Sequence, residues 1–235
     1  MGAIFKRDFK SYFTSPVGYL FIAIMMFFEG WSFATLYSKN STDISVIFLS
    51  QYMFVFFLIP FLTMRTMSED RRQKVDQALI TSPVSLYGIV FGKFFATFAI
   101  FMISYSITLV FQVILAFQPD AVVNWLIYSG NVLGIALMGG ALIALGIFVS
   151  SLTENQLVAA VCSFAATYLI YSLDSLAGII NISWVTSIVN AISFVGRYTT
   201  FTEGIIDYSN IVFFVGFAAI FIFLTVRILD KRRYS

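Results

Sequence analysis

Ile179-Ile180-Asn181-Ile182-Ser183-Trp184-Val185-Thr186-Ser187-Ile188-Val189-Asn190-Ala191-Ile192-Ser193-Phe194-Val195 determines how often this chain crosses a membrane. The stretch is apolar, but it falls short of the ~20 residues that a bilayer's hydrocarbon requires. It also carries Asn181, Ser183, Thr186, Ser187, Asn190 and Ser193. Six other stretches meet the length: Val17–Tyr37, Val46–Met64, Leu86–Phe117, Trp125–Val149, Leu157–Leu176 and Ile211–Leu229. Basic residues settle the count, because Lys and Arg collect on the cytoplasmic side of short loops. With six spans and the N-terminus inside, Lys6, Arg7, Lys10, Arg65, Arg71, Arg72, Lys74, Lys93, Arg227, Lys231, Arg232 and Arg233 are cytoplasmic. Of the 14 basic residues only Lys39 and Arg197 lie outside. A seventh span would carry Arg227 and Lys231–Arg233 across. Residues 177–208 are then an outer segment between spans five and six, too apolar for a free loop. Irregular apolar backbone at membrane depth is tolerated only when packed on protein, so one or two short helices lying at, or dipping into, the outer face are expected. Trp184, Tyr198 and Tyr208 suit that interface.

Composition supports this reading. Of 235 residues, 60% are hydrophobic and 11% charged, with a mean hydropathy of +0.91. Soluble proteins are about 45–50% apolar and about 25% charged, so a soluble domain, a disordered chain and a disulfide scaffold are excluded. No His is present, which removes His metal sites, His general bases and Ser-His-Asp triads. The single Cys162 sits in an apolar run and reads as a small hydrophobe. The first apolar run is too long for a signal-peptide core and has no small-residue cleavage site, so cleavage is not expected.

Residues 1–16 read as an amphipathic elbow helix. Ile4, Phe5, Phe9, Tyr12 and Phe13 share one face, with Lys6, Arg7 and Lys10 displaced toward anionic lipid. Thr14-Ser15-Pro16-Val17 then recurs as Thr81-Ser82-Pro83-Val84. Ser is a good N-cap and Pro is favoured at the first helical position, so each copy reads as a helix start before an outward-going span. Between them, residues 65–85 form the largest cytoplasmic element. Asp70/Lys74 and Arg72/Asp76 are i,i+4 pairs supporting an exposed charged helix. Met67, Val75, Ala78 and Leu79 would form its narrow apolar stripe.

Gly88-Ile89-Val90-Phe91-Gly92-Lys93 fails as a nucleotide loop. It is one residue short between the glycines, lacks a Ser or Thr after Lys93, and follows no strand. Gly88, Gly92 and Ala96 read instead as a small-residue packing ridge, as do Gly130 and Gly134, and Ala136, Gly140 and Ala144, within the bundle or across a dimer. Two carboxylates fall within spans. Glu29 lies about 18 Å along its helix from Val17, in the outer half of the hydrocarbon. Such a group is by default a functional candidate, lining a translocation path, hydrogen-bonding a neighbouring helix, or reaching the outer interface. Asp174 reads as interfacial.

Pro60-Phe61-Leu62-Thr63-Met64-Arg65-Thr66-Met67-Ser68-Glu69-Asp70-Arg71-Arg72, the charged helix after it, and Leu79-Ile80-Thr81-Ser82-Pro83-Val84-Ser85 resemble an ABC-2-type permease. The gliding-motility-type and Nos-type subunits are the most similar, and the likeness covers essentially the whole chain. It implies an all-α membrane protein of six transmembrane helices, with an elbow helix, a cytoplasmic coupling helix and an outer re-entrant segment. It further implies the permease half of an ATP-driven exporter in the bacterial plasma membrane, with both termini cytoplasmic. Such a permease pairs with a second permease chain, the same or different, and rests on a separate ABC ATPase subunit. ATP is bound by that partner, so this chain needs no cofactor of its own and is not itself an enzyme. Membrane lipids surround it, an auxiliary membrane protein enters by analogy alone, and no nucleic acid is implied. Glu69–Leu79 matches the family's coupling helix and Ser150–Gln156 its second contact. Glu69, Asp70, Arg71, Arg72, Lys74 and Glu154 are the coupling residues so implied, and Glu29 the path residue. Where the family has an acidic pair and a Gly-Thr-Leu-Glu type run, this chain has Lys74-Val75-Asp76-Gln77.

Two other classes compete. An ATP-independent secondary transporter would need coupling-ion carboxylates near the midplane and discontinuous helices; only Glu29 approaches this. A membrane-embedded enzyme would need His or paired acids, which the sequence lacks.

Overall fold

The computed structural model describes residues 1–75, 84–118, 124–177 and 192–233. Most of the 179–195 stretch, Trp184 included, therefore lies outside the described residues. So do Asp76, Ala78, Leu79 and the second Thr81-Ser82-Pro83 copy, together with the side chain of Asp174. The described chain is helical: α1 (Gly2–Thr14), α2 (Pro16–Ser38), α3 (Ser45–Thr63), α4 (Ser68–Arg72), α5 (Leu86–Tyr105), α6 (Ile107–Ala116), α7 (Trp125–Leu152), α8 (Gln156–Ala177), α9 (Phe194–Thr202) and α10 (Tyr208–Arg233). Among the described residues six spans, with α3 and α4 counted as one and α5 and α6 as another, are long and apolar enough to cross a membrane. Their bounds differ from those expected by a few residues. We refer to the end carrying α1, α4 and the tail of α10 as the basic end.

Local chemistry sets these bounds. Ser15 is the extended N-cap of α2 and Pro16 opens it, since proline gives up no needed donor at that position. The cap of α5 falls on Ser85, whose Oγ accepts from Gly88 N at 3.1 Å, three residues beyond the repeated Ser82. The third span is broken rather than continuous. At Ser106 the backbone N–H bonds Ile103 O at 3.1 Å, a tightened turn. The hydroxyls of Ser104, Ser106 and Thr108 each donate to the carbonyl three residues before, at 2.7 Å. Such back-bonding bends helices.

Pro60 lies inside α3 and has no N–H for the carbonyl of Phe56. Thr167 of α8 supplies the missing donor, its Oγ1 lying 2.9 Å from Phe56 O. A carbonyl freed in an apolar interior must find a partner elsewhere, and this one joins spans two and five.

Span four, α7, is the most enclosed of the six and is flanked by α3, α8, α9 and α10. Its small residues are used within the chain. A Cβ placed on Gly134 would meet Phe201 Cβ at 2.7 Å, and Gly139 and Gly146 face Phe101 and Thr63. In α5, Gly92 admits the N-terminal helix, since a Cβ there would lie 3.0 Å from Ile4 Cγ2.

The described part of the outer segment is packed on the bundle. In α9, Phe194, Tyr198 and Phe201 are fully buried. Ser193 caps the helix by accepting from Gly196 N at 2.8 Å, and Gly204, at φ +80°, turns the chain out of it. Tyr198 was expected at the membrane interface, but its hydroxyl donates to Phe48 O at 3.2 Å, because α9 sits between spans rather than across their ends. Tyr208 is 81% exposed.

The charged helix expected over Glu69–Leu79 is interrupted. α4 ends at Arg72, and Lys74 adopts φ +57°, which L-residues seldom occupy. The Asp70/Lys74 pair therefore does not form, and Asp70 turns inward instead.

Candidate functional site at the basic end

Lys93 begins this site. It sits two turns into α5, and its side chain is only 3% exposed. An ammonium so enclosed must be paired and hydrogen-bonded. Its Nζ lies 2.6 Å from Asp70 Oδ2 and 3.1 Å from Asp8 Oδ2, and donates to Thr66 O at 2.5 Å. The span-two exit, the N-terminal helix and span three thus meet at one nitrogen. Arg7 closes the arrangement, with Nε 2.6 Å from Asp8 Oδ1 and a terminal nitrogen 2.9 Å from Asp70 Oδ2. Burial disfavours the Arg7 charge, but the hydrogen bond and charge of Asp8, and the charge of Asp70, outweigh it and raise its pKa.

Tyr12, one turn beyond Asp8, inserts from α1 between spans two and three. Its hydroxyl lies 3.0 Å from both Leu62 O and Thr97 Oγ1. Burial pushes this phenol up, against the Thr97 hydrogen bond, so it stays neutral. Arg65 and Glu69 form a two-pronged pair at 2.7 and 2.9 Å. Glu69 also accepts from Gln73 Nε2 at 3.2 Å. These groups line a cavity of about 380 Å³ between α1 and α4.

Beside it, α4 is fastened to the turn between spans four and five. Ser150 Oγ accepts from Met67 N and Ser68 N at 3.2 and 3.1 Å, and donates to Met64 O at 3.0 Å. Arg71 Nε lies 2.8 Å from Glu154 Oε1, and Arg71 also donates to Leu152 O at 3.0 Å. Arg232 of α10 donates to Ser151 O. Arg72, Gln73, Lys74 and Glu154 remain exposed beside one another's elements.

The residues singled out from sequence thus divide. Arg71 and Glu154 are brought together, and Arg72 and Lys74 face outward. Glu69 and Asp70 are engaged within the chain. Glu29 lies elsewhere, fully buried in α2 with both carboxyl oxygens unbonded. Sequence reading missed Asp8 altogether, and missed the contacts that Lys93, Tyr12 and Ser150 make here. A lysine inside an apolar span is a signal in its own right, but counted only as one of the cytoplasmic basic residues Lys93 shows nothing of its partners. Among the described residues no group of three or more His, Cys, Asp or Glu could hold a metal.

The six long apolar helices among the described residues, with a structured charged junction at one end, are those of a multi-pass membrane protein. The family model described as ABC-2 family transporter protein matches residues 30–227, and the chain belongs to that family. It is therefore an ABC permease, a membrane component of a transporter family that generally pairs with an ABC ATPase subunit. Comparison with curated proteins and with solved structures gives no match.

Proposed function

We propose that this chain is the membrane-spanning subunit of an ATP-driven exporter, working as a permease dimer on separate ATPase subunits, with its basic end in the cytoplasm of a bacterial cell. The observation that carries the reading is the Arg71–Glu154 ion pair with the Ser150 clasp. It joins the segment after span two and the four–five turn into one surface, where Arg72, Lys74 and Glu154 are exposed for a partner. ATP closes the partner subunits, their movement shifts α4, and Lys93 passes the shift to span three and the N-terminal helix. Coupling requires the partner to bind inward- and outward-facing arrangements with different affinity. Glu29 belongs to the translocation path in this account, an enclosed carboxyl exposed when spans separate.

The test is the double charge reversal Arg72→Glu/Lys74→Glu. These side chains make no ion pair within the described residues, so the chain should still insert and remain monodisperse. Co-purification of the ATPase subunit should fall at least tenfold. Unchanged co-purification and ATPase rate would remove the docking assignment. Transport by the purified chain without any ATPase would favour a secondary transporter.

A further inference from the structure

Away from the basic end, and apart from Ser163 in α8, five buried side chains leave oxygen atoms without a hydrogen-bond partner. Both oxygens of Glu29, Oε1 of Gln51 and of Gln112, Oδ1 of Asn131 and the Tyr105 hydroxyl have no hydrogen-bond partner. None of the five residues is more than 2% exposed. They occupy one zone of the bundle. Gln51 Nε2 donates at 3.3 Å to Ser32 Oγ, one turn from Glu29. Tyr105 and Tyr128 lie within electrostatic reach of the Glu29 carboxyl. Tyr128 bonds Thr108 at 3.3 Å, a turn from Tyr105 and from Gln112, and Asn131 follows Tyr128 by one turn. At 1.5 Å per residue, Glu29 and Gln51 lie about 14 and 9 Å in from the ends of their helices opposite the basic end.

Buried polar groups are normally paired, and each exception calls for a cause. The imbalance is toward acceptors: the three amide oxygens accept and cannot donate, and with the Glu29 carboxyl they outnumber the donors that Tyr105 and a protonated Glu29 could bring, so an occupant that brings donors and a positive charge would complete the zone. The walls add a second preference. The Phe48 ring centroid lies 6.1 Å from those of both Tyr105 and Tyr128, and aromatic faces attract cations. An opening of about 160 Å³ reaches Gln112 from the end of the bundle. Its lining includes Asp43 and Asn124 and, among the described residues, no basic residue.

We infer that this zone is a binding site for an organic ammonium group, a protonated amine on an apolar body, with Glu29 as counter-ion, the amide oxygens as acceptors and the Gln112 opening as its exit. The inference rests on the reading of Glu29 as a path residue and adds the chemical class of the cargo.

The test uses the permease–ATPase complex in lipid nanodiscs and radiolabelled tryptamine at pH 7. Binding should be saturable, and unlabelled tryptamine should compete at least tenfold better than tryptophol, the neutral alcohol of the same shape. Glu29→Gln, which keeps size and polarity, should raise Kd at least tenfold, and Gln112→Leu at least threefold. If Glu29→Gln gives no monodisperse complex, Gln112→Leu decides. No saturable binding, equal competition by tryptophol, or an unchanged Kd would overturn the inference and leave water as the occupant. Labelling of Glu29→Cys, in a Cys162→Ser background, by a membrane-impermeant thiol reagent during ATP turnover tests the path separately. Labelling without amine binding overturns the amine class alone, and absence of labelling overturns the path and the inference together.

Discussion

Lys93 shows what one side chain does when an apolar helix carries it into the protein. Its ammonium faces two carboxylates and a carbonyl, one from each of two other elements and from the strand of chain between them. Removing one member of such a set strands charge in a poorly hydrated place. Lys93→Met should therefore destabilise the protein by about 3 kcal/mol, read as a lowered thermal midpoint in detergent. Lys93→Met/Asp70→Asn should recover part of that loss, because Arg7 still balances Asp8. Equal midpoints for wild type and Lys93→Met would show that the cluster contributes nothing net. Little of this was legible in the sequence. Glu29 is conspicuous as a lone acid in an apolar run, whereas Asp8 and Lys93 are separated by two complete spans and the segment after them, and only the packing of α1 on α5 brings them together.

At the level of elements, proline and glycine decide which helices touch. Pro60 frees a carbonyl and Thr167 takes it up across the span-two–span-five contact. Thr167→Val should cost about 1 kcal/mol. In a Pro60→Ala background the helix can supply its own donor, and the same substitution should then cost measurably less. A double-mutant cycle of denaturation midpoints reads the difference, and strict additivity would deny the link. Gly92 works by absence. Gly92→Leu would press on Ile4 and lift α1 from span three, and overpacking of this kind costs roughly 1–3 kcal/mol. Trypsin should then cleave at Lys6, Arg7 and Lys10 faster than in the wild type. The sequence exposes these small-residue ridges but not their partners. The Gly92 ridge receives an amphipathic helix whose apolar face could equally have rested on lipid. The helix expected over Glu69–Leu79 breaks at Lys74 although its i,i+4 charge pairs suggest continuity, because Asp70 pairs with the buried Lys93 ammonium and not with exposed Lys74.

For the whole molecule, the distribution of Lys and Arg predicts that both termini share a side. Single cysteines at Ser41 and Glu203 should react with an impermeant reagent from outside intact cells, and ones at Lys74 and Arg233 only after permeabilisation. The opposite pattern would invert the topology. The six-span architecture was plain from hydropathy and charge, since length and apolar content are local properties. How α9 wedges between spans was not, because a short, mixed-polarity helix reads much like an interfacial one until its neighbours are known.

The seat of the N-terminal helix on span three has a practical consequence. Met1 lies against Gly92, with its carbonyl 3.3 Å from where a Cβ would project. A purification handle or fluorescent reporter fused there would have to be threaded out past that contact, and trimming the first turns would unbalance Lys93. Reporters belong on the tail after α10, and any chimera that exchanges this helix should exchange the start of span three with it.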